Sequence, residues 1–294
     1  MRYREETVPQ IEKLRYVRLG VKDTVAAAEF ARRIVGLQQI EAPDGLAMFR
    51  SDSRDHSLVI AGADEDGESE ALAIQLRTSE DLDTVCDRLQ EAGYEVVRGS
   101  AEECAERRCK QMAHFRVRDA VRIELVVRPL DSGWRYFGSR DAGITGFFGV
   151  AFASTDVAAD TKLWTQILGG KIADYLGDAV YIAIDDEHHR IALHPSTRDG
   201  ILEVQYQVEG LHQLMQNSYY LQSAQVPIVH GPGRRPASEQ LFLTFKGPCG
   251  SHFGFVAEGM RRAFDEPHAP RQFGRTAESF CGWGSHATIP EYSA

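Results

Sequence analysis

Apolar residues along the chain recur in a few patterns. LRYVRLGV from Leu14 and FFGVAFAS from Phe147 are continuous or alternating apolar runs and read as strands, whose successive side chains point to opposite faces. Asp23 follows the first run, and Ser154 to Asp156 close the second. These residues suit a helix N-cap, because their side-chain oxygens accept the unpaired amides of a first turn. An amphipathic stretch then leads to Gly36 or Gly169, where a left-handed C-cap suits glycine. Short strands come next: GLAMFR and HSLVIA in the first half, AVYIAI and HRIALH in the second. A further strand, helix and strand pair completes each half. They are ALAIQLR, EDLDTVCDRLQEAG, MAHFRVRD and VRIELVV, then LEVQYQV, GLHQLMQNSYYLQSA, EQLFLTFKG and SHFGFV.

The two halves are one pattern written twice. Asp23 and Asp156 stand 133 residues apart, as do Gly36 and Gly169, and His56 and His189. Further on the offset reads as 130, pairing Ile74-Gln75 with Val204-Gln205, Phe115 with Phe245 and Glu124 with Gly254. The fold class is α+β: tandem β-α-β-β-β modules in two homologous domains, each an open barrel-like mixed sheet. The expected boundaries are 1–130 for the first domain, 131–145 for a linker, 146–258 for the second domain and 259–294 for a tail. A helix covers one face of each unit. Side chains at alternate strand positions would point into a concave cup, which suits a small-molecule site.

Composition narrows the partners. The 294 residues carry 33 Lys and Arg against 43 Asp and Glu, a net charge of −10, which disfavours nucleic-acid phosphate. The 43% apolar content argues against disorder. No apolar run approaches the roughly 20 residues that span a bilayer, and the N-terminal stretch lacks an apolar signal core. The five cysteines, with no Cys-x-x-Cys, point to neither a zinc ribbon nor a disulfide framework. A cytoplasmic location is expected.

This organisation, with the tail sequence Trp283-Gly284-Ser285-His286, resembles the vicinal oxygen chelate superfamily and, within it, the type I extradiol ring-cleaving dioxygenases of the biphenyl-diol kind. The resemblance implies a second-domain site in which two His and one Glu hold ferrous iron, with coordination positions left for substrate and dioxygen. The matching positions here are Gly149, Glu203 and Gly254, the last four residues after the glycine of Pro248-Cys249-Gly250. Glycine has no side chain to ligate with, so no metal is expected at the family position. A rearranged set of His252, Glu203 and His189 holding Fe2+ or Mn2+ is the alternative. The family's acid/base histidine matches His189, the second of His188-His189. Three family polar positions are replaced, by Arg235, Ser238 and Thr244.

The expected catalytic residues are therefore His189, as acid or base, with Glu203 and Arg235 as charge partners. Phe147, Gly149, Ser238, Thr244, His252 and Gly254 are expected to line the substrate cup. Three have a plainer reading: His189 as a buried structural imidazole, Glu203 as exposed on a rim or, with the register slipped by one, replaced by Leu202 facing inward, and Phe147 as core. The expected function is metal-independent acid/base chemistry on an aromatic or oxygen-rich small molecule. The alternatives are an iron-dependent ring-cleaving dioxygenase with relocated ligands and a non-enzymatic binding protein. No nucleic-acid or membrane partner is expected, and by resemblance the chain would form a homo-oligomer.

Overall fold

The computed structural model describes residues 11–248 and 250–293. Expectations that fall on residues 1–10, Cys249 or Ala294 lie outside the described residues. The first half runs β1 (Lys13–Val21), α1 (Thr24–Phe30), β2 (Gln38–Ile40), β3 (Leu46–Arg50), β4 (Leu58–Gly62), β5 (Ala71–Leu76), α2 (Ser79–Glu91), β6 (Val97–Arg98), α3 (Ala101–Glu106), β7 (Cys109–Val117) and β8 (Val121–Pro129). The second runs β9 (Ile144–Ser154), α4 (Val157–Lys162), β10 (Lys171–Leu176), β11 (Ala179–Ala183), β12 (Ile191–Pro195), β13 (Gly200–Val208), α5 (Leu211–Ser223), β14 (Ile228–Arg234), β15 (Leu241–Lys246) and β16 (His252–Ala257). The tail adds β17 (Arg271–Phe273), α6 (Ala277–Phe280) and a 3-10 turn at Pro290–Tyr292.

Each half folds into one open mixed sheet. Strand order is β2-β3-β4-β1-β5-β8-β7-β6 in the first and β14-β15-β16-β13-β9-β12-β11-β10-β17 in the second. The helix starts follow from local chemistry. Asp23 accepts from the amide of Ala26 and Asp156 from that of Ala159, each at 2.9 Å. Both helices widen into a π-helical turn, Ala31–Val35 and Leu163–Ile167, before Gly36 (φ 96°) and Gly169 (φ 77°) reverse the chain. Among the described residues no helix is long and apolar enough to cross a membrane, and Cys86, Cys104, Cys109 and Cys281 are free thiols.

One core joins the halves. Phe30 of α1 lies 6.3 Å from Phe245 and 5.7 Å from Phe253, ring centre to ring centre. Removing such side chains from water contributes roughly 1.5–3 kcal/mol each. Polar clamps surround this core. Arg118 bridges to Asp160 and Asp199, and Arg140 reaches both the Ile34 carbonyl and Asn217. Glu70 crosses from the start of β5 to the amide of Ile201 and the hydroxyl of Ser251. The faces of the two sheets away from this core form smaller separate clusters, one around Tyr16, Met48 and Met112 and one around Ala151, Tyr181 and Leu202.

The register corrects one offset. Ala73 pairs with Glu124 as Gln205 pairs with Gly254, so β5 matches β13 at 132 rather than 130. Glu203 is thus the counterpart of Ala71. The same offset relates Thr78 to Gly210, the caps of α2 and α5.

Candidate functional site

A bulge in β13 builds the floor of the second cup. Ile201 pairs with Phe152 and Glu203 with the next residue, Ala151, leaving Leu202 as the extra residue. Ile201 points into the main core, whereas Leu202 and Glu203 both serve the cup face. The two readings of this strand were not exclusive.

Glu203 is fully buried, and both of its oxygens are taken. Thr244 Oγ1 donates to Oε1 at 2.9 Å, and Tyr292 Oη donates to Oε2 at 2.5 Å. Arg235 Nη2 lies 3.9 Å from Oε2, and its guanidinium stacks 4.3 Å from the Phe242 ring centre and 5.6 Å from that of Tyr292. Burial, followed by the nearby Glu203 carboxylate, raises the Tyr292 phenol far above its ordinary value, so it remains a donor. A buried carboxylate is tolerated here because a cation and two donors surround it.

A second chain runs beside it. Asp174 Oδ2 lies 2.8 Å from His188 Nε2, and His188 Nδ1 lies 3.0 Å from His189 Nδ1. Burial opposes the Asp174 charge, but hydrogen bonds from Arg271 and His188 outweigh it and hold this carboxyl below its ordinary value. An ionised Asp174 takes the Nε2 proton of His188, which leaves His188 Nδ1 as an acceptor. His189 Nδ1 then donates to it, and His189 Nε2 keeps its lone pair. Burial, reinforced by His188, Arg235 and His194, pushes His189 well below its ordinary value, so the imidazole is neutral at pH 7. Its ring lies 4.6 Å from Tyr181 and 6.1 Å from Phe148. Burial also takes His194 down to about 3 and His230 down to about 4.

Two of the family's three ligand positions are glycines packed against neighbouring atoms. A Cβ on Gly254 would lie 2.0 Å from Glu203 Oε1, so the carboxylate fills the space a side chain there would use. A Cβ on Gly149 would meet the Arg190 carbonyl at 2.5 Å. Two of the three ligand positions therefore offer no donor. The third has both oxygens bonded and a guanidinium beside it, so the donor set does not suit a divalent ion. His252 pairs in register with Glu203, yet among the described residues no three His, Cys, Asp or Glu are grouped as a metal site requires.

The structure brings together His189, Glu203, Arg235 and Thr244, with Gly254 against Glu203. Ser238 is buried in the turn after β14, its Oγ without a partner. Phe147 is a correction. It packs on Tyr206 in the main core, and its amide is held by Asp52. A shift in pairing between Gln205 and Tyr206 gives β9 an extra residue, and Phe148 takes the place beside His189 and Phe242. The residues missed are Asp174, Tyr181 and Tyr292. Tyr292 carried no signal, since it sits in a tail without periodicity.

The model of the glyoxalase/bleomycin resistance protein/dioxygenase superfamily matches residues 13–125 and 147–255, one repeat in each half. The chain belongs to this superfamily. Among solved structures, this superfamily member is similar to the Mn(II)-bound glyoxalase from Novosphingobium aromaticivorans, at 22% identity over 97% of this chain and 95% of the other, TM-score 0.86. It is also similar to homoprotocatechuate 2,3-dioxygenase from Brevibacterium fuscum in complex with 3,4-dihydroxyphenylacetate, at 18% identity over 97% and 92%, TM-score 0.84. A third is the 2,3-dioxygenase LapB from Pseudomonas sp. KL28, at 17% over 90% and 99%, TM-score 0.79. These likenesses describe the fold. No curated protein matches the chain by sequence.

Proposed function

We propose that the second cup of this extradiol-dioxygenase-like fold receives an aromatic or oxygen-rich small molecule and transfers a proton on it without a divalent ion. The observation that carries this reading is the hydrogen-bonded run from Asp174 through His188 to His189. His189 Nε2 is the base. As it takes a proton, the Nδ1 proton can pass to His188, whose imidazolium Asp174 stabilises. Arg235 balances negative charge that develops on a bound oxygen, and Glu203 accepts a substrate hydroxyl.

The test begins with elemental analysis of protein purified without added metal. It continues with catechol ring cleavage after iron or manganese reconstitution, and with deuterium incorporation from D2O into the ring of a dihydroxybenzene, read by NMR with chelator present. Expected are no stoichiometric ion, no ring cleavage, and ring exchange that His189→Ala abolishes while binding persists. A stoichiometric ion required for catechol cleavage would refute the reading. A second reading, binding without turnover, is favoured by the Tyr292 side chain seated in the cup. Binding with no exchange, in wild type and His189→Ala alike, would select it.

A further inference from the structure

We infer that the segment after α6 is a displaceable self-ligand: Tyr292 sits in a phenol subsite of the cup, and its replacement is a neutral monophenol whose hydroxyl donates to Glu203. This rests on the cup being a ligand site, and it is independent of whether His189 performs chemistry.

The Tyr292 surroundings read as a recognition site. The hydroxyl meets Glu203 Oε2, the ring takes the His194 imidazole edge-on at 4.8 Å, and the Arg235 guanidinium lies over it at 5.6 Å. Ala151, Ala153 and Ala192 share the buried cluster in which the ring sits. Beside this ring, at 6.1 Å, stands His230, whose Nδ1 is buried without a partner. Arg235 Nε and Ser238 Oγ are orphaned as well. Buried polar atoms without partners are costly. Two of them, on His230 and Arg235, belong to residues that flank the phenol ring.

The segment that delivers the ring is lightly held. Of residues 282–293 only Tyr292 is buried. Its ties are hydrogen bonds between partly exposed groups: Gly282 N to Arg234 O at 2.9 Å, Ser285 to Gly231 N at 2.8 Å and His230 Nε2 at 3.3 Å, Thr288 to Val229 O through its amide at 2.9 Å and its hydroxyl at 3.4 Å, Arg275 Nη2 to Pro290 O at 3.2 Å, and Glu291 to Ser196 Oγ at 2.8 Å and His194 Nδ1 at 3.2 Å, with Ala287 and Ile289 only partly buried. The first cup shows the contrast. There Tyr16 donates to Glu124, with Arg107 and Arg122 alongside, and the phenol belongs to β1 itself. Tyr16 is tied through the ladder of β1, whereas Tyr292 sits on a 3-10 turn outside both sheets.

The charge pattern sets the class. Arg235 is the cation beside Glu203, so one negative charge is already balanced. An aromatic carboxylate would put a second anion against Glu203, and a hydrocarbon would leave Glu203 Oε2 without its donor. A neutral hydroxyl on an aromatic ring satisfies both limits.

The probe is p-cresol, which is the tyrosine side chain itself, with toluene and benzoate as controls, measured by calorimetry on full-length protein. The closed segment lowers apparent affinity by the fraction of molecules that are open. The Tyr292→Ala variant should therefore bind p-cresol at least about tenfold more tightly than wild type, and p-cresol should raise its Tm. Toluene and benzoate should bind neither form. In wild type, saturating p-cresol should increase deuterium uptake by amides 288–293. Tyr292→Phe keeps the ring, loses the donor and should fall between, and it decides the matter if the alanine variant does not fold. Equal affinity in all forms, toluene binding as well as p-cresol, or p-cresol binding to wild type with no rise in segment exchange would each overturn the inference. A p-cresol site without any ring exchange would sink only the proton-transfer reading. His189-dependent exchange without a p-cresol site would sink only this one.

Discussion

Glu70 should make folding stability fall as pH rises. Its side chain is 4% exposed, and it clamps the halves through the Ile201 amide (2.6 Å) and the Ser251 hydroxyl (3.1 Å). Burial raises its pKa. The two hydrogen bonds and Arg198 oppose this, and the net position is about 7 against an ordinary 4.5. The folded protein therefore binds more protons at this site than the unfolded chain between those values. Below about pH 4.5 both states are protonated and the stabilisation is complete. It is lost as pH rises through about 7, and the whole loss is about 3 kcal/mol. Other groups titrate too, so the measurement is a difference: urea unfolding of wild type and Glu70→Gln from pH 4.5 to 8.5 at constant ionic strength. Glutamine stays neutral, accepts the Ile201 amide through its oxygen and offers its amide to Ser251. The wild type should lose about 3 kcal/mol relative to the variant across this range, most of it between pH 4.5 and 7. Parallel stability curves would refute the reasoning, because they would mean that Glu70 keeps its ordinary affinity for protons when folded.

Other outcomes follow from the site. Glu203→Ala leaves Arg235 buried without its partner and should cost about 3–5 kcal/mol in denaturant unfolding, with Tyr292 fluorescence moving toward that of exposed tyrosine. Gly254→Ala drives a methyl into Glu203 Oε1 and should destabilise by about 1–3 kcal/mol without creating iron or manganese binding, checked by calorimetry with each ion. His194 and His230, held at about 3 and about 4, should show no titration of their ring resonances between pH 5.5 and 8 in NMR. Asp174→Asn removes the anion at the end of the imidazole run. It should lower the apparent pKa of the acid-side loss of His189-dependent exchange and move that limb to lower pH, read from the pH profile of ring exchange, and an unmoved limb would refute the relay.

Much of the fold could be read along the chain because its determinants are local. Asp23 and Asp156 cap their helices through their own turns, and Gly36 and Gly169 end them in the left-handed region. The short α3 was passed over although Ser100 and Glu103 form a capping box, because six residues give no apolar period to follow. At the site, alternation along β13 points Glu203 into the cup, whereas Thr244 is legible only through the family resemblance. The failures sit at bulges. One extra residue in β9 exchanges Phe147 for Phe148, and one in β13 brings Leu202 and Glu203 to the same face. A bulge depends on pairing with another strand, so no window of sequence reports it. The two-residue change in offset at β5 and β13 is hidden likewise, since apolar runs match equally well when slid by two. The Asp174–His188 link depends on β10 folding back beside the loop after β11, and Tyr292 reaches Glu203 across 89 positions.

The paired hollows have reached one chemical arrangement by unequal routes. Each holds a phenol, a carboxylate and a guanidinium locked together, but one assembles them from its own strands and the other borrows the phenol from the end of the chain. The first is thereby a keystone, whose loss weakens the vault around it. The second is a stopper on a tether, and the duplication leaves the molecule one hollow that can be emptied while its twin keeps the masonry standing.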